Sequence, residues 1–275
     1  MILSDSTSLV DIHSHLVPGV DDGAKTVQAV LNAVERFTRL GVRRIVTTPH
    51  IQGSTTLQTH RLEERLEAVT VAFDRAAVAI RAEFPEVDFR RGHEVLIDVP
   101  EADLSDRRLR LDGTSFVLIE WPRLQVPPGT PRVVRWIRDQ GYRPIIAHPE
   151  RYGGMVNAVD VASRWRAAGA YRQVNFGSLV GRYGSEAESI AFRLLEAGLV
   201  DYLASDFHGH ATLKIYQSEA CAALEARDAS EALDLLCRVN PARVLDDQEP
   251  IPVPALSPGR NLMTRIRGMI KREMA

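Results

Sequence analysis

Hydrophobic positions along the chain follow two different spacings. Short apolar runs alternate with longer segments in which apolar residues recur at helical spacing. In residues 26–40, for example, Val27, Val30, Leu31 and Val34 fall on one helix face, and Gly41 ends the pattern. The pattern predicts strands at 9–12, 42–47, 87–89, 95–99, 116–121, 144–147, 171–175 and 200–204, and helices at 26–40, 58–83, 131–140, 156–168, 186–197, 212–226 and 229–237.

Repeated strand–helix units of this length predict parallel strands joined by crossover helices. About seven such units favour an α/β fold closed into a barrel, with a doubly wound open sheet as the alternative. We expect one barrel domain over residues 1–245, followed by a second segment over 246–275. The proline-rich stretch 241–260 predicts an extended arm, and 262–274 predicts a short basic amphipathic helix.

Composition narrows the class of protein. The chain has 275 residues, 34 Lys+Arg against 36 Asp+Glu, and 45% hydrophobic residues, which is ordinary for a globular domain. The near-neutral balance gives no electrostatic footprint for nucleic acid, so we expect no nucleic-acid partner. Two cysteines exclude a disulfide framework. No signal peptide or apolar run of membrane-spanning length is evident, which favours a cytoplasmic protein.

Histidines and carboxylates recur where predicted strands end. In parallel α/β folds the carboxyl ends of strands converge on one face, so these residues are expected to meet. Imidazole and carboxylate ligands without cysteine suit Zn, Mn or Fe. The residues are His13, His15, His50, Glu94, Glu120, His148, Asp206 and His208. By contrast, we expect His60 at the surface, and His93 to point away from Glu94; the role of His210 is open.

Each of the two cysteines is followed by an arginine at a spacing that is typical of a different class of enzyme. Cys221 and Arg227 have five residues between them, as do Cys237 and Arg243, and this is the spacing of cysteine phosphatases. Neither intervening run contains glycine, and the first favours a helix over a phosphate-binding loop. We therefore expect both cysteines to be packed small hydrophobes. After the predicted strand 171–175, Asn175 either hydrogen-bonds in the site or caps the next turn.

The ordered motifs resemble the polymerase and histidinol phosphatase superfamily, and within it the bacterial capsule-biosynthesis protein-tyrosine phosphatases. The similarity covers about residues 10–245. Its motifs are Asp11-Ile12-His13-Ser14-His15, Pro18-Gly19-Val20-Asp21-Asp22-Gly23-Ala24, Thr48-Pro49-His50, Gly92-His93-Glu94-Val95, Ile119-Glu120-Trp121-Pro122, Ile146-Ala147-His148-Pro149-Glu150-Arg151-Tyr152, Gln173-Val174-Asn175-Phe176-Gly177-Ser178-Leu179, Gly181-Arg182-Tyr183-Gly184 and Ala204-Ser205-Asp206-Phe207-His208.

This resemblance implies a distorted (β/α)7 barrel with three divalent ions, usually manganese, at the carboxyl ends of the strands; Fe or Zn are alternatives. It implies that Arg151 clamps the phosphate. The implied ligands are His13, His15, Glu94 and Asp206 for one ion, Glu94, Glu120 and His148 for the second, and His50, His208 and an aspartate, Asp22 rather than Asp21, for the third.

The implied activity is hydrolysis of phosphotyrosine by metal-bound hydroxide. The implied substrate is the tyrosine-rich tail of a bacterial tyrosine kinase that controls capsule or exopolysaccharide synthesis. One departure bears on substrate: residues 209–214 lack the arginine that the family carries after Asp-x-His, which leaves Lys214 or His210 as replacements.

Two alternatives differ in class. One is a phosphatase or phosphodiesterase for small molecules such as histidinol phosphate. The other is a non-catalytic metal-binding regulator that docks through its basic tail. That tail is compatible with peripheral contact to a membrane or an acidic partner, or with packing on the barrel.

Overall fold

The strands and helices alternate along the chain. The computed structural model describes residues 8–257. Within that range the strands are β1 (Leu9–Asp11), β2 (Val42–Thr47), β3 (His50–Gln52), β4 (Asp88–Arg91), β5 (Glu94–Leu96), β6 (Phe116–Glu120), β7 (Arg143–Ala147), β8 (Tyr171–Asn175) and β9 (Tyr202–Ala204). The helices are α1 (Val27–Arg39), α2 (Gly53–Thr56), α3 (Thr59–Glu83), α4 (Thr130–Asp139), α5 (Ala158–Ala168), α6 (Ser185–Glu196), α7 (Gln217–Glu225), α8 (Ser230–Asp234) and α9 (Asn240–Leu245).

The strands form two parallel sheets in the described range, which confirms the predicted α/β fold with parallel strands. One sheet has the order β1-β2-β4 and the other β3-β5-β6-β7-β8-β9. Backbone hydrogen bonds also join the chain beyond β1 to the chain beyond β9. The amide of Asp206 donates to the His13 carbonyl at 2.9 Å, and the amide of His15 donates to the Phe207 carbonyl at 2.9 Å.

Helix α1 illustrates how the sequence forms these crossovers. The Thr26 hydroxyl accepts a hydrogen bond from the Ala29 amide and caps the first turn. The apolar stripe that includes Val30, Val34 and Phe37 is buried against the sheet. After the helix, Gly41 adopts a φ of 81°, a left-handed conformation that glycine tolerates best.

Strands β6 to β9 are buried on both faces, as expected for parallel strands covered by helices. In β6, Phe116 and Leu118 belong to one apolar cluster, whereas Val117 and Ile119 belong to another that includes residues of α4, α5 and α6. The face that carries Phe116 and Leu118 becomes polar toward the carboxyl ends of the strands. Series at every second residue run Phe116, Leu118, Glu120 in β6, Tyr171, Gln173, Asn175 in β8, and Tyr202, Ala204, Asp206 in and after β9.

Several predicted boundaries were wrong. Strand β3 was not predicted, and the helix expected from residue 212 begins at Gln217. The helix expected over 229–237 continues through Leu235–Val239 into α9, so Pro241 lies in a helix and not in an arm. Proline removes an amide donor, and Pro241 directly follows the wide π-helical turn Leu235–Val239, where the regular helical hydrogen-bond pattern is already interrupted.

The chain after α9 packs back onto the domain. Val253 and Leu256 are buried, and the Leu256 amide donates to the Leu195 carbonyl at 3.1 Å. The predicted basic helix at 262–274 lies outside the described residues. Among the residues that the structure describes, no helix has the length and apolar character needed to cross a bilayer.

Candidate metal centre

The segment after β1 directs two imidazoles to the same side. His13 and His15 alternate with Ser14 in an extended stretch, so their side chains project alike. The Ser14 carbonyl accepts a hydrogen bond from the Thr48 amide at 2.7 Å, and the Leu16 amide donates to the Thr47 hydroxyl at 2.7 Å. The loop after β2 therefore holds both histidines in place. Their Nε2 atoms lie 3.3 Å apart.

Glu94 lies at the centre of the cluster and is fully buried. Its Oε2 atom lies 3.2 Å from His13 Nε2, 3.4 Å from His15 Nε2 and 3.1 Å from His50 Nδ1. Its Oε1 atom lies 2.9 Å from His148 Nε2. One carboxylate thus faces four imidazoles, which come from three parts of the chain: the segment after β1, the start of β3 and the end of β7.

The aspartate pair divides into two roles. Asp21 accepts hydrogen bonds from His15 Nδ1 at 2.9 Å and from the Gly23 amide at 2.9 Å, so it orients a ring of the cluster. The Asp22 carboxylate lies 3.5 Å from the Nε2 atoms of both His50 and His208. The ligand atoms of His15, Asp22, His50 and His208 all lie within 4.8 Å of one another.

Two cluster residues have strained backbones. His148 has a φ of 32° and Asp206 a φ of 50°, a left-handed conformation that is uncommon for residues other than glycine. Asp206 Oδ1 lies 3.5 Å from the Nε2 atoms of His13 and His15. Glu120 is more peripheral, with Oε1 3.8 Å from His148 Nε2.

Arg151 borders the cluster on one side. Its Nη1 donates to Asp206 Oδ2 at 2.7 Å, and its guanidinium lies 4.4 Å from the centre of the Tyr183 ring. Arg151 and Tyr183 also line a cavity of about 300 Å³, together with Leu124, Glu150, Tyr152, Gly153, Glu186, Ala187 and Ile190. An arginine, an aromatic face and apolar side chains thus border a space beside the carboxylates.

Burial and mutual charge set the protonation of the cluster. Burial alone would raise the pKa of Glu94, but the surrounding imidazoles, His13 first, hold that pKa well below its ordinary value. Burial would lower the pKa of His13, but Glu94 and Asp206 raise it to about 9. Protons on His13 therefore compete with any cation for the same nitrogen, so cation binding would release protons.

The donor set fits divalent cations. Two ligands about 2.1 Å from one ion, at angles between octahedral and tetrahedral, lie roughly 3.0–3.4 Å apart. The distances around Glu94 Oε2 are 3.1, 3.2 and 3.4 Å. That oxygen is buried and has no hydrogen-bond partner among the described residues, and the same holds for His148 Nδ1. Nitrogen and oxygen donors without thiolate suit Mn, Fe or Zn.

The residues set aside in the sequence lie elsewhere. His93 bonds to the Arg108 carbonyl at 2.9 Å, and burial lowers its pKa to about 4. His60 is exposed in α3. Cys221 lies in α7, and Cys237 lies in the helical turn Leu235–Val239, so neither begins a phosphate-binding loop.

The two candidate replacements for the family arginine are engaged with other groups. Lys214 lies 3.6 Å from Glu219 and is largely exposed. His210 Nε2 lies 2.9 Å from the Asp22 carbonyl, so it contacts the loop of the aspartate pair.

Other residues that the sequence did not single out as site residues support the cluster. Arg65 in α3 donates to the carbonyls of Val20 and His50, each at 2.8 Å, and so joins two of the site loops. Buried Glu150 accepts hydrogen bonds from the Asn175 amide at 3.0 Å and the Ser178 hydroxyl at 2.6 Å. Glu150 stands in a quoted motif, and no signal in the sequence indicated Arg65. Asn175 was expected either to hydrogen-bond in the site or to cap the next turn, and its side chain donates to Asp206 at 2.8 Å.

The chain is therefore a parallel α/β protein, and its buried histidine–carboxylate cluster is a candidate metal site at the carboxyl ends of the strands. Residues 9–246 match the model of the capsular polysaccharide synthesis family CpsB/CapC, and the chain belongs to this family. The resemblance drawn from the motifs is thereby confirmed.

Individual relatives align over most of their length. The chain is 31% identical over 225 residues to tyrosine-protein phosphatase YwqE of Bacillus subtilis, covering 81% of this chain and 86% of YwqE. It is 26% identical over 251 residues to tyrosine-protein phosphatase CpsB of Streptococcus pneumoniae, covering 87% of this chain and 99% of CpsB. A crystal structure from work on these two proteins, described as unique metal-dependent tyrosine phosphatases, matches with a TM-score of 0.76 at 29% identity, over 90% of this chain and 100% of that chain.

Proposed function

We propose that this protein is a metal-dependent tyrosine-protein phosphatase of capsular polysaccharide synthesis. The observation that carries the proposal is Glu94, a buried carboxylate 2.9–3.4 Å from four imidazoles. Membership of the CpsB/CapC family and the similarity to YwqE and CpsB support the same activity. Arg151 supplies the phosphate-binding cation beside the cluster.

We propose three divalent ions, with Mn²⁺ preferred and Fe or Zn as alternatives. Three overlapping groups of donor atoms that lie within 4.8 Å of one another support this number: His13, His15 and Glu94; His50, Glu94 and Glu120; and His15, Asp22, His50 and His208. The proposed ligands are His13, His15, Glu94 and Asp206 for the first ion, Glu94, Glu120 and His148 for the second, and Asp22, His50 and His208 for the third. Bound divalent ions lower the pKa of water and neutralise phosphoryl oxygens.

Two side chains of the protein, Arg151 and Tyr183, are proposed to bind the substrate. The Arg151 guanidinium presents planar donors that match phosphate oxygens, and its bond to Asp206 fixes the direction of those donors. The Tyr183 ring packs against the guanidinium and forms a wall for the aromatic ring of the substrate. A phenolate leaves with little help from a general acid, because the pKa of tyrosine is only about 10.

We further propose that the two sheets are parts of one distorted (β/α)7 barrel. Hydrogen bonds between residues 13–15 and 206–207 support closure at one seam. At the other seam the Gly92 amide donates to the Thr47 carbonyl at 2.9 Å. We propose a barrel domain that ends at residue 245, where α9 ends, with the following segment as an arm.

The proposed substrate is a phosphotyrosine protein, namely the tyrosine-rich tail of a bacterial tyrosine kinase that regulates capsule or exopolysaccharide synthesis. We place the reaction in the cytoplasm, where the thiols of Cys221 and Cys237 stay reduced. A second candidate is a small-molecule phosphatase. The Lys214 ammonium group pairs with Glu219 at 3.6 Å, so we propose that it does not replace the missing arginine and that the substrate preference differs accordingly.

A side-by-side assay separates these functions. Phosphate release is measured with Mn²⁺ on a phosphotyrosine peptide, the matching phosphoserine peptide, histidinol phosphate and a dinucleotide. We expect the phosphotyrosine peptide to have the highest kcat/KM. Preference for histidinol phosphate or the dinucleotide would replace the proposal with the second candidate, and hydrolysis of none of them would refute enzymatic function.

A further inference from the structure

A continuous chain of buried hydrogen bonds runs behind the cluster. His13 Nδ1 donates to Gln173 Oε1 at 2.8 Å, and Gln173 Nε2 donates to Asn175 Oδ1 at 2.8 Å. Asn175 Nδ2 then donates to Asp206 Oδ2 at 2.8 Å. Gln173 and Asn175 are both fully buried residues of β8. The chain therefore begins at one proposed metal ligand and ends at another.

The direction of these bonds determines which atoms face the cluster. A side-chain amide has an NH₂ donor group and a carbonyl acceptor. The bond made by one of these groups therefore determines which group the amide presents to its next neighbour. Because Gln173 accepts from His13 Nδ1, the Nε2 atom of that ring is left facing Glu94. Because Asn175 and Arg151 both donate to Asp206 Oδ2, the other oxygen, Oδ1, is left facing His13 and His15 at 3.5 Å.

We infer that Gln173 and Asn175 are positioning residues that fix the ring tautomer of His13 and the carboxylate orientation of Asp206 for cation binding. The inference rests on the proposed metal centre. Buried amides cost free energy unless they are hydrogen-bonded, and every polar side-chain atom of this pair is bonded to its neighbour or to the cluster. Partners that orient the ligands of a metal typically change its affinity about 10–100-fold when they are replaced.

The same chain reaches Arg151 through Asp206. The guanidinium and the Asn175 amide share one acceptor oxygen, so the position of Arg151 depends on the orientation of that carboxylate. Gln173 and Asn175 therefore contact the proposed ligands, and neither lines the cavity beside Arg151, although Asn175 also hydrogen-bonds to the side chain of Tyr183. Their replacement is expected to weaken cation binding first and to change turnover only as a consequence.

The test measures Mn²⁺ affinity of the full chain without substrate. Free Mn²⁺ is quantified by electron paramagnetic resonance during titration of wild type, Asn175→Leu and Gln173→Leu. Asn175→Leu removes the donor to Asp206 without adding a charge, and Gln173→Leu removes the acceptor for His13. We expect a 10–100-fold weaker Kd in each. The matched control is Asn240→Leu, which removes another fully buried amide that bonds to the carbonyls of Asp201 and Ile251.

We expect Asn240→Leu to lower the Tm while binding Mn²⁺ as wild type does. Wild-type affinity in Asn175→Leu and Gln173→Leu would overturn the inference, and so would an equal loss of affinity in Asn240→Leu, because that loss would reflect general destabilisation. If one of the two β8 variants does not fold, the other decides the test. No phosphoester enters the experiment, so its outcome is separate from that of the proposed phosphatase activity.

Discussion

Arg151→Lys tests the contact between the cluster and the substrate. Lysine keeps the positive charge but cannot reproduce the planar donors of a guanidinium. In the structure Arg151 makes a 2.7 Å bond to Asp206 and stacks 4.4 Å from the Tyr183 ring centre, with its side chain 23% exposed. The substitution thus removes a partly buried guanidinium group that lies beside the carboxylates of the cluster.

The magnitude follows from the loss of one such donor. Removal of a single transition-state donor in a partly buried site lowers kcat about 10²–10³-fold, or roughly 2.7–4 kcal/mol. We expect the lower end for Arg151→Lys, because the charge remains, and the upper end for Arg151→Met. Arg151 also donates to the proposed ligand Asp206, so its replacement is expected to weaken Mn²⁺ binding as well, and kcat is therefore compared at saturating Mn²⁺.

The assay measures kcat and KM on a phosphotyrosine peptide at saturating Mn²⁺. Arg227→Lys is a matched control, because Arg227 also pairs with a carboxylate, Glu196 at 3.0 Å, and stacks on an aromatic ring, Phe192 at 3.8 Å. We expect wild-type kinetics in the control. A kcat for Arg151→Lys within about twofold of wild type would refute the assignment of Arg151 as the phosphate clamp.

Three further substitutions test the site and the fold. Glu94→Gln removes the central negative charge, and we expect Mn²⁺ no longer to raise the Tm of this variant; an undiminished Mn²⁺-dependent rise would show that Glu94 is no ligand. Ile119→Ala empties a fully buried position and should lower the free energy of unfolding by about 2–5 kcal/mol in urea denaturation, against about 0.5–1.5 kcal/mol for Ile119→Val. Thr26→Ala removes the cap of α1 and should cost roughly 0.5–2 kcal/mol, whereas Thr26→Ser should retain most of the stability; equal losses would argue against a capping role.

Strand–helix alternation was readable from the sequence because it depends on local spacing. The helix predicted at 58–83 is α3, and the strand predicted at 171–175 is β8. Strand β3 was missed, since it is only three residues long and follows Pro49, which hides it from any periodic pattern. The extent of α9 was missed because a proline normally ends or kinks a helix, so Pro241 favoured an arm.

Part of the site was also predictable. Residues at strand ends were expected to meet, and the structure does bring His13 and Asp206 within 3.5 Å although they are far apart in sequence. The bond from His13 to Gln173 was beyond sequence reasoning, because it depends on the register of β8 beside its neighbours and on the direction of an amide. The residue pattern by itself also does not distinguish Asp21 from Asp22 as a ligand, because the positions of these adjacent carboxylates depend on the conformation of their loop.

The most direct test of the central claim is the initial rate of phosphate release from a phosphotyrosine peptide by metal-stripped protein titrated with Mn²⁺. We expect almost no hydrolysis without metal and a saturable rise to full activity as Mn²⁺ is added. Full activity in the stripped protein, unchanged by added Mn²⁺ or by a chelator, would contradict a metal-dependent phosphatase.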